Sequence, residues 1–155
     1  MRVAGYAKLA KLWEKRRKEA LAFHKDYFES RYIYSDNYEL IKVFVDITGN
    51  KEIRKRPKMI ELLSLCYDGK IDIIHMQTKG YLAANTREFC YLIKFLFELE
   101  HPVHLITEDE DYHINTLENK DRQREELFRM ADEYSKLNAA DYITWKEEIL
   151  QAIGK

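Results

Sequence analysis

A chain of 155 residues has room for one ordinary domain, and a hydrophobic fraction of 46%, with eleven Tyr and seven Phe, excludes a disordered polymer. No apolar run reaches the roughly 18 residues of a membrane span, and the N-terminus lacks the basic, apolar, small-residue order of a signal peptide, so a cytoplasmic protein with no membrane partner is expected. The net charge of −1 hides an asymmetry: residues 1–60 hold 15 Lys and Arg against 8 Asp and Glu, whereas residues 61–155 hold 11 against 19, which permits a basic face toward polyanions without requiring one.

In chain order, Arg2 to Ala7 (RVAGYA) has the small and apolar residues of a buried strand. KLAKLWEKRRKEALAFHKDYF follows with Leu9, Leu12, Trp13, Ala20, Phe23 and Tyr27 at approximately helical spacing, which predicts one helix with these residues inward. Ser35, Asp36 and Asn37 mark a turn, and Tyr38 to Asp46 (YELIKVFVD) predicts a second strand. Pro57 suits the first turn of a helix whose inward stripe is Met59, Leu62, Leu63 and Cys66, and Asp68-Gly69 stops it.

Ile71 to Met76 (IDIIHM) predicts a third strand. Asn85 with Glu88 three residues on has the form of a capping box, opening a helix with Phe89, Leu92, Ile93, Leu96 and Leu99 inward. VHLIT after Pro102 predicts a fourth strand, and two helices are expected over about 117–137 and 139–153. The order β-α-β-α-β-α-β predicts an α/β fold with a mainly parallel sheet of four to five strands flanked by helices. With no internal repeat and no Gly/Ser/Pro-rich linker, one domain over 1–155 is expected, its core over about 1–107 followed by a helical segment.

Taken together and in order, several of these stretches resemble the catalytic domain of the serine recombinases, the resolvase and invertase family. GYAKLA is similar to that family's first-strand pattern Tyr-x-Arg-x-Ser, which ends in the nucleophile; VFVDITG resembles the second strand and its acidic residue. KRPKMIELLSLCYDGKIDII resembles the Arg-Pro helix and third strand, and QTKGYLAANTREF the segment that normally reads Lys-Ser-Leu-Ser-Arg-Leu-Ala-Arg-Asn-Thr. The resemblance covers roughly Arg2 to Thr107 and implies a resolvase-like fold.

It also implies a degenerate site. Ala10 stands where the family carries its serine, and a methyl group has no lone pair with which to attack phosphorus. Family arginines correspond to Lys8, Tyr81 and Ala84, so that Arg56 remains of the phosphate clamp while Tyr6 and Asp46 match the pattern. A lysine replaces the guanidinium fork only as a point charge, and Tyr or Ala not at all. The expectation is a pseudoenzyme with no catalytic residue of its own, acting in a mobile-element context by forming a homodimer, or a heterodimer with an active recombinase, and by weak DNA binding. One alternative is an active phosphodiester or DNA-processing enzyme of altered chemistry using Lys8, Asp46 and Arg56; another is an α/β interaction module unrelated to DNA.

Candidate phosphate contacts are Lys8, Lys51, Arg54, Lys55, Arg56 and Lys58, whereas Lys11, Lys15, Arg16, Arg17 and Lys18 read as a solvated helix face. No cofactor or metal is expected: His101 and His104 are split by Pro102, Gly49 and Gly80 are isolated, and Cys66 and Cys90 read as reduced core residues. Thr78 has no histidine base poised beside it. Leu127, Met130, Tyr134 and Leu137 form an apolar seam that serves either association or cover of the chain's own core.

Overall fold

The computed structural model describes residues 1–118 and 120–155. Four parallel strands, β1 (Arg2–Leu9), β2 (Glu39–Ile47), β3 (Ile73–Met76) and β4 (His104–Thr107), form one sheet in the order β2-β1-β3-β4. Helices α1 (Arg17–Tyr32), α2 (Pro57–Tyr67) and α3 (Thr86–Phe97) alternate with them, and α4 (Lys120–Lys136) and α5 (Ala139–Ala152) follow. The central strands β1 and β3 carry runs of consecutive buried residues, as a parallel sheet covered on both faces requires.

The two faces are unequal. Ala4 and Tyr6 of β1 share one core with α2 and α3, and with Ala131, Tyr142, Trp145 and Ile149 of α4 and α5. The C-terminal helices thus contribute residues to the principal core. Gly5 faces the other way, where a Cβ would come 2.7 Å from the Phe28 ring of α1; the missing side chain is what lets α1 lie against the strand.

Lys8 and Leu9 remain in β1, and Ala10 ends the strand in extended conformation (φ −63°, ψ 151°). A 3-10 turn over Lys11–Arg16 precedes α1, so the single helix expected from Lys8 onward is broken. The break resets the helical phase. Ala20, His24 and Phe28 point inward, while Leu12 and Phe23 of the expected stripe are 72% and 61% exposed and Trp13 is exposed as well.

Helix α2 starts at Pro57 and buries Met59, Leu62, Leu63 and Cys66, as its spacing predicts. Gly69, at φ +72°, ends it: its N–H bonds the Cys66 carbonyl and that of Lys70 the Leu65 carbonyl, closing the last turn in a left-handed cap. At the start of α3 the Asn85 side chain accepts the Glu88 N–H at 2.8 Å, which is half of the expected capping box. The other half is absent. The buried Glu88 carboxylate turns instead to Trp145 Nε1 of α5 at 2.8 Å and to the Ile53 N–H at 3.3 Å, exchanging a local cap for a tertiary tie.

The seam on α4 is split: Leu127 and Tyr134 pack against the core together with Phe128, whereas Met130 and Leu137 face solvent. Cys66 and Cys90 are buried free thiols, and burial pushes both pKa values upward. Among the described residues, no helix is long and apolar enough to cross a membrane.

Candidate functional site

The C-terminal ends of parallel strands are where α/β folds place their sites, because strand-to-helix connections converge there. In this chain Lys8, Ala10, Asp46, the loop over 51–56 and the turn over 79–82 belong to that end. Tyr6 and Asp46 lie on neighbouring strands, and the Tyr6 hydroxyl donates to Asp46 Oδ2 at 2.8 Å. The Asp46 carboxylate also accepts the Lys58 and Met59 N–H groups, each at 2.9 Å, and so caps the start of α2 from a different element. Arg56, in the N-cap position, makes no side-chain cap, which leaves that task to Asp46. Burial, followed by the charge of Asp46, pushes the Tyr6 hydroxyl far above its ordinary pKa, so Tyr6 stays a neutral donor.

Arg56 is fully buried. One terminal nitrogen donates to the carbonyls of Tyr81 and Leu82 at 2.7 and 3.2 Å, the other donates to the Lys51 carbonyl at 2.7 Å, and Nε is buried without a partner. The guanidinium thus staples the loop over 51–56 to the turn over 79–82. Its terminal nitrogens are thereby engaged by the chain's own backbone, whereas the sequence reading expected them to contact phosphate.

Lys8 is partly buried, with Nζ 3.5 Å from the Thr48 carbonyl; burial first, then Arg56, lowers its pKa. Lys51 is exposed. The remaining cations of the loop meet acids: Arg54 with Glu52 and Glu148, Lys55 with Glu52, and Lys58 with Glu61. These exposed pairs contribute little stability but lower the net positive field that the sequence suggests at this loop.

Ala10 is exposed, and its carbonyl accepts the Trp13 N–H at 3.0 Å, starting the 3-10 turn. Tyr81 is half-buried and Ala84 exposed, so neither brings a cation to the strand end. The hydroxyl groups nearby have other engagements. Thr78 donates to Asp109 at 2.8 Å and accepts the Gly80 N–H, and Thr48 accepts the Asn50 N–H at 3.0 Å. What the fold gathers is a neutral phenol, a capping carboxylate, a buried guanidinium and a partly buried ammonium, a set suited to holding loops together.

Sequence reasoning singled out Tyr6 and Asp46, which are hydrogen-bonded, and Arg56, which is buried at the start of α2. It missed the cap on α2, because Asp46 lies eleven residues before Pro57 and no local signature spans that separation. It also missed His75, a polar residue in an apolar strand whose position alone signals a buried network. His101 stands against Gly69 and His104 bonds Thr116; among the described residues, no cluster of three or more potential metal ligands forms.

The sequence matches no protein-family model and no curated protein. Structural comparison does find similar folds. The N-terminal catalytic domain of TP901-1 integrase aligns over 89% of this chain and 99% of its own, at 14% identity and a TM-score of 0.61. A resolvase family site-specific recombinase from Streptococcus pneumoniae aligns over 100% and 99%, at 14% identity and 0.55. The C-terminal catalytic domain of ISC1926 TnpA, an IS607-like serine recombinase, aligns over all of both chains, at 16% identity and 0.52. This chain has the fold of the serine recombinase catalytic domains.

Proposed function

We propose that this chain is a catalytically inactive protein of the serine recombinase fold, which acts through association with other proteins, including a second copy or an active recombinase, and through weak contact with DNA. The observation that carries this reading is Ala10: the strand end that precedes the first helical turn presents a methyl group. Removing one preorganised charge-stabilising donor typically costs about 10²–10³-fold in rate, so a site that lacks both attacking atom and arginine clamp retains no useful phosphoryl-transfer chemistry. The inward turn of Arg56 supports the same conclusion.

The association part is supported by an open groove of about 1040 Å³ beside the sheet-edge strand β2, lined in part by Leu21, Tyr32, Ile33, Leu40, Ile41 and Val43. Exposed apolar residues along a sheet edge suit a protein partner better than a polyanion. A mobile-element context and a cytoplasmic location are part of the same proposal, the first drawn from the resemblance to the recombinase family. Incubation with end-labelled duplex DNA, with and without divalent metal, is expected to leave the DNA intact, and addition of the chain to an active recombinase is expected to alter strand exchange. Metal-dependent scission would instead favour an enzyme of altered chemistry, and no effect on strand exchange would remove the regulatory reading.

A further inference from the structure

Beneath α1 lies a polar network that the strand-end site does not use. His75 sits in the middle of β3, 4% exposed, on the face covered by α1. Its ring meets Phe28 edge-on at 5.2 Å and Tyr32 at 5.8 Å, and its Nδ1 lies 2.6 Å from the Tyr32 hydroxyl. With the hydroxyl donating, Nδ1 accepts and the ring proton sits on Nε2. Nε2 lies 3.3 Å from Glu108 Oε2, just beyond β4, and is poorly aligned for a hydrogen bond.

Glu108 is itself held by α1. Tyr27 donates to Oε2 at 2.5 Å, and Arg31 pairs with Oε1 at 2.7 Å. The charged groups that act on His75 are thus Glu108 from the end of β4 and Arg31 from α1; its titratable neighbours are Tyr32 and, across Glu108, Tyr27. One turn earlier, His24 is also buried under α1, and its Nδ1 has no partner.

Ala20 and Phe28 are the other fully buried residues of α1, and Phe28 gains its seat from the missing side chain of Gly5. We propose that α1 is an acid-releasable cover: its seating on the sheet requires His24 and His75 to be neutral, and mild acid lifts it while the core of α2, α3 and α5 stays folded. Protonation of Nδ1 changes it from acceptor to donor, so the Tyr32 hydroxyl must turn to accept and its own proton loses the acceptor it had. It also places a buried cation beside Arg31, a cost that the Glu108 carboxylate 3.3 Å from Nε2 offsets in part.

The pH direction follows from burial. Desolvation is the leading influence on both imidazoles and holds both below the ordinary histidine value. A histidine depressed in the folded state contributes stability that is present above its unfolded value of about 6.5 and is lost as pH falls. Release uncovers the apolar β1 face formed by Val3 and Ala7, which is sealed at neutral pH. This inference does not depend on the reading of the strand-end site.

Hydrogen exchange of the full chain, read by mass spectrometry at pH 7.5 and 5.0 and corrected for intrinsic rates, tests it. Peptides from 17–32 are expected to lose protection about tenfold or more at pH 5.0 while those from 86–97 keep theirs, and His24→Gln with His75→Gln is expected to abolish that difference. Simultaneous loss across both helices, no loss in either, or an unchanged acid response in the double variant overturns the proposal. Because the variant also perturbs packing, the wild-type ring resonances provide a second reading: both histidines are expected to titrate below the ordinary value, and titration of both at or above about 6.5 overturns it.

Discussion

The guanidinium of Arg56 donates to the Tyr81 carbonyl at 2.7 Å, so the arginine that the resemblance assigns to a phosphate clamp binds the backbone of the turn over 79–82. Tyr81 contributes its carbonyl here, and its side chain brings no charge. The guanidinium serves cohesion between two loops.

Removal of that staple should be costly. Arg56→Ala leaves three carbonyl contacts unmade beside the buried Asp46–Tyr6 pair, and a loss of about 3–5 kcal/mol is expected in urea unfolding. Arg56→Lys should recover part of it, because an ammonium reaches fewer of the carbonyls. A loss below about 1 kcal/mol for Arg56→Ala would show that the loops hold without it.

The Tyr6–Asp46 bond and the cap on α2 share one carboxylate. Tyr6→Phe is expected to cost about 1–2 kcal/mol and Asp46→Asn somewhat more, since the substitution weakens two backbone caps as well as the phenol contact. The double variant should show a coupling of about 1 kcal/mol in a thermodynamic cycle. Simple additivity would mean that the two side chains act independently.

Docking of α5 should depend on Glu88. Glu88→Ala strips Trp145 Nε1 and the Ile53 N–H of their acceptor, and a cost of about 2–4 kcal/mol is expected. Trp145 emission should shift to the red as its indole gains water. Fluorescence matching that of the wild type would contradict the tie.

Acid should also act at the outer edge of α5. The Asp141 carboxyl is held at about 2, below its ordinary 3.8, first by Arg87 and then by the Tyr91 hydroxyl. Its contribution is present above the ordinary value and lost as pH falls toward about 2, so Asp141→Asn should flatten the stability slope between pH about 4 and about 2. A slope unchanged by the substitution would assign the acid response to other groups.

Binding to duplex DNA, if governed by Lys51, Arg54, Lys55 and Lys58, should be weak and shallow in salt. Three of these cations are already paired with acids, so a log-log slope no steeper than about −3 is expected, and replacement of all four by Ala should remove it. A slope near −8, or one retained by the variant, would place the contact elsewhere.

The parallel sheet was legible because its strands are short apolar runs separated by helical periodicities, and Pro57 and Gly69 punctuate α2 as local chemistry dictates. The phase of α1 was not legible, since a 3-10 turn ending at Arg16, whose backbone departs from helical values, moved the inward face to Ala20, His24 and Phe28. Glu88 read as a local cap because three-residue spacing cannot reveal that a tryptophan 57 residues onward offers a better donor. Arg56 read as a phosphate contact for a similar reason: the carbonyls that bind it lie in a turn 25 residues away.

The most direct measurement is covalent capture. The wild-type chain and its Ala10→Ser variant are incubated with supercoiled DNA, denatured, and read by mass spectrometry for a nucleotide joined to the protein. The proposed reading expects neither to carry one, since Ala10 offers no attacking oxygen and the variant still lacks the arginines that the resemblance implies for an active site. A phosphodiester-linked nucleotide on the wild-type chain would contradict the account outright.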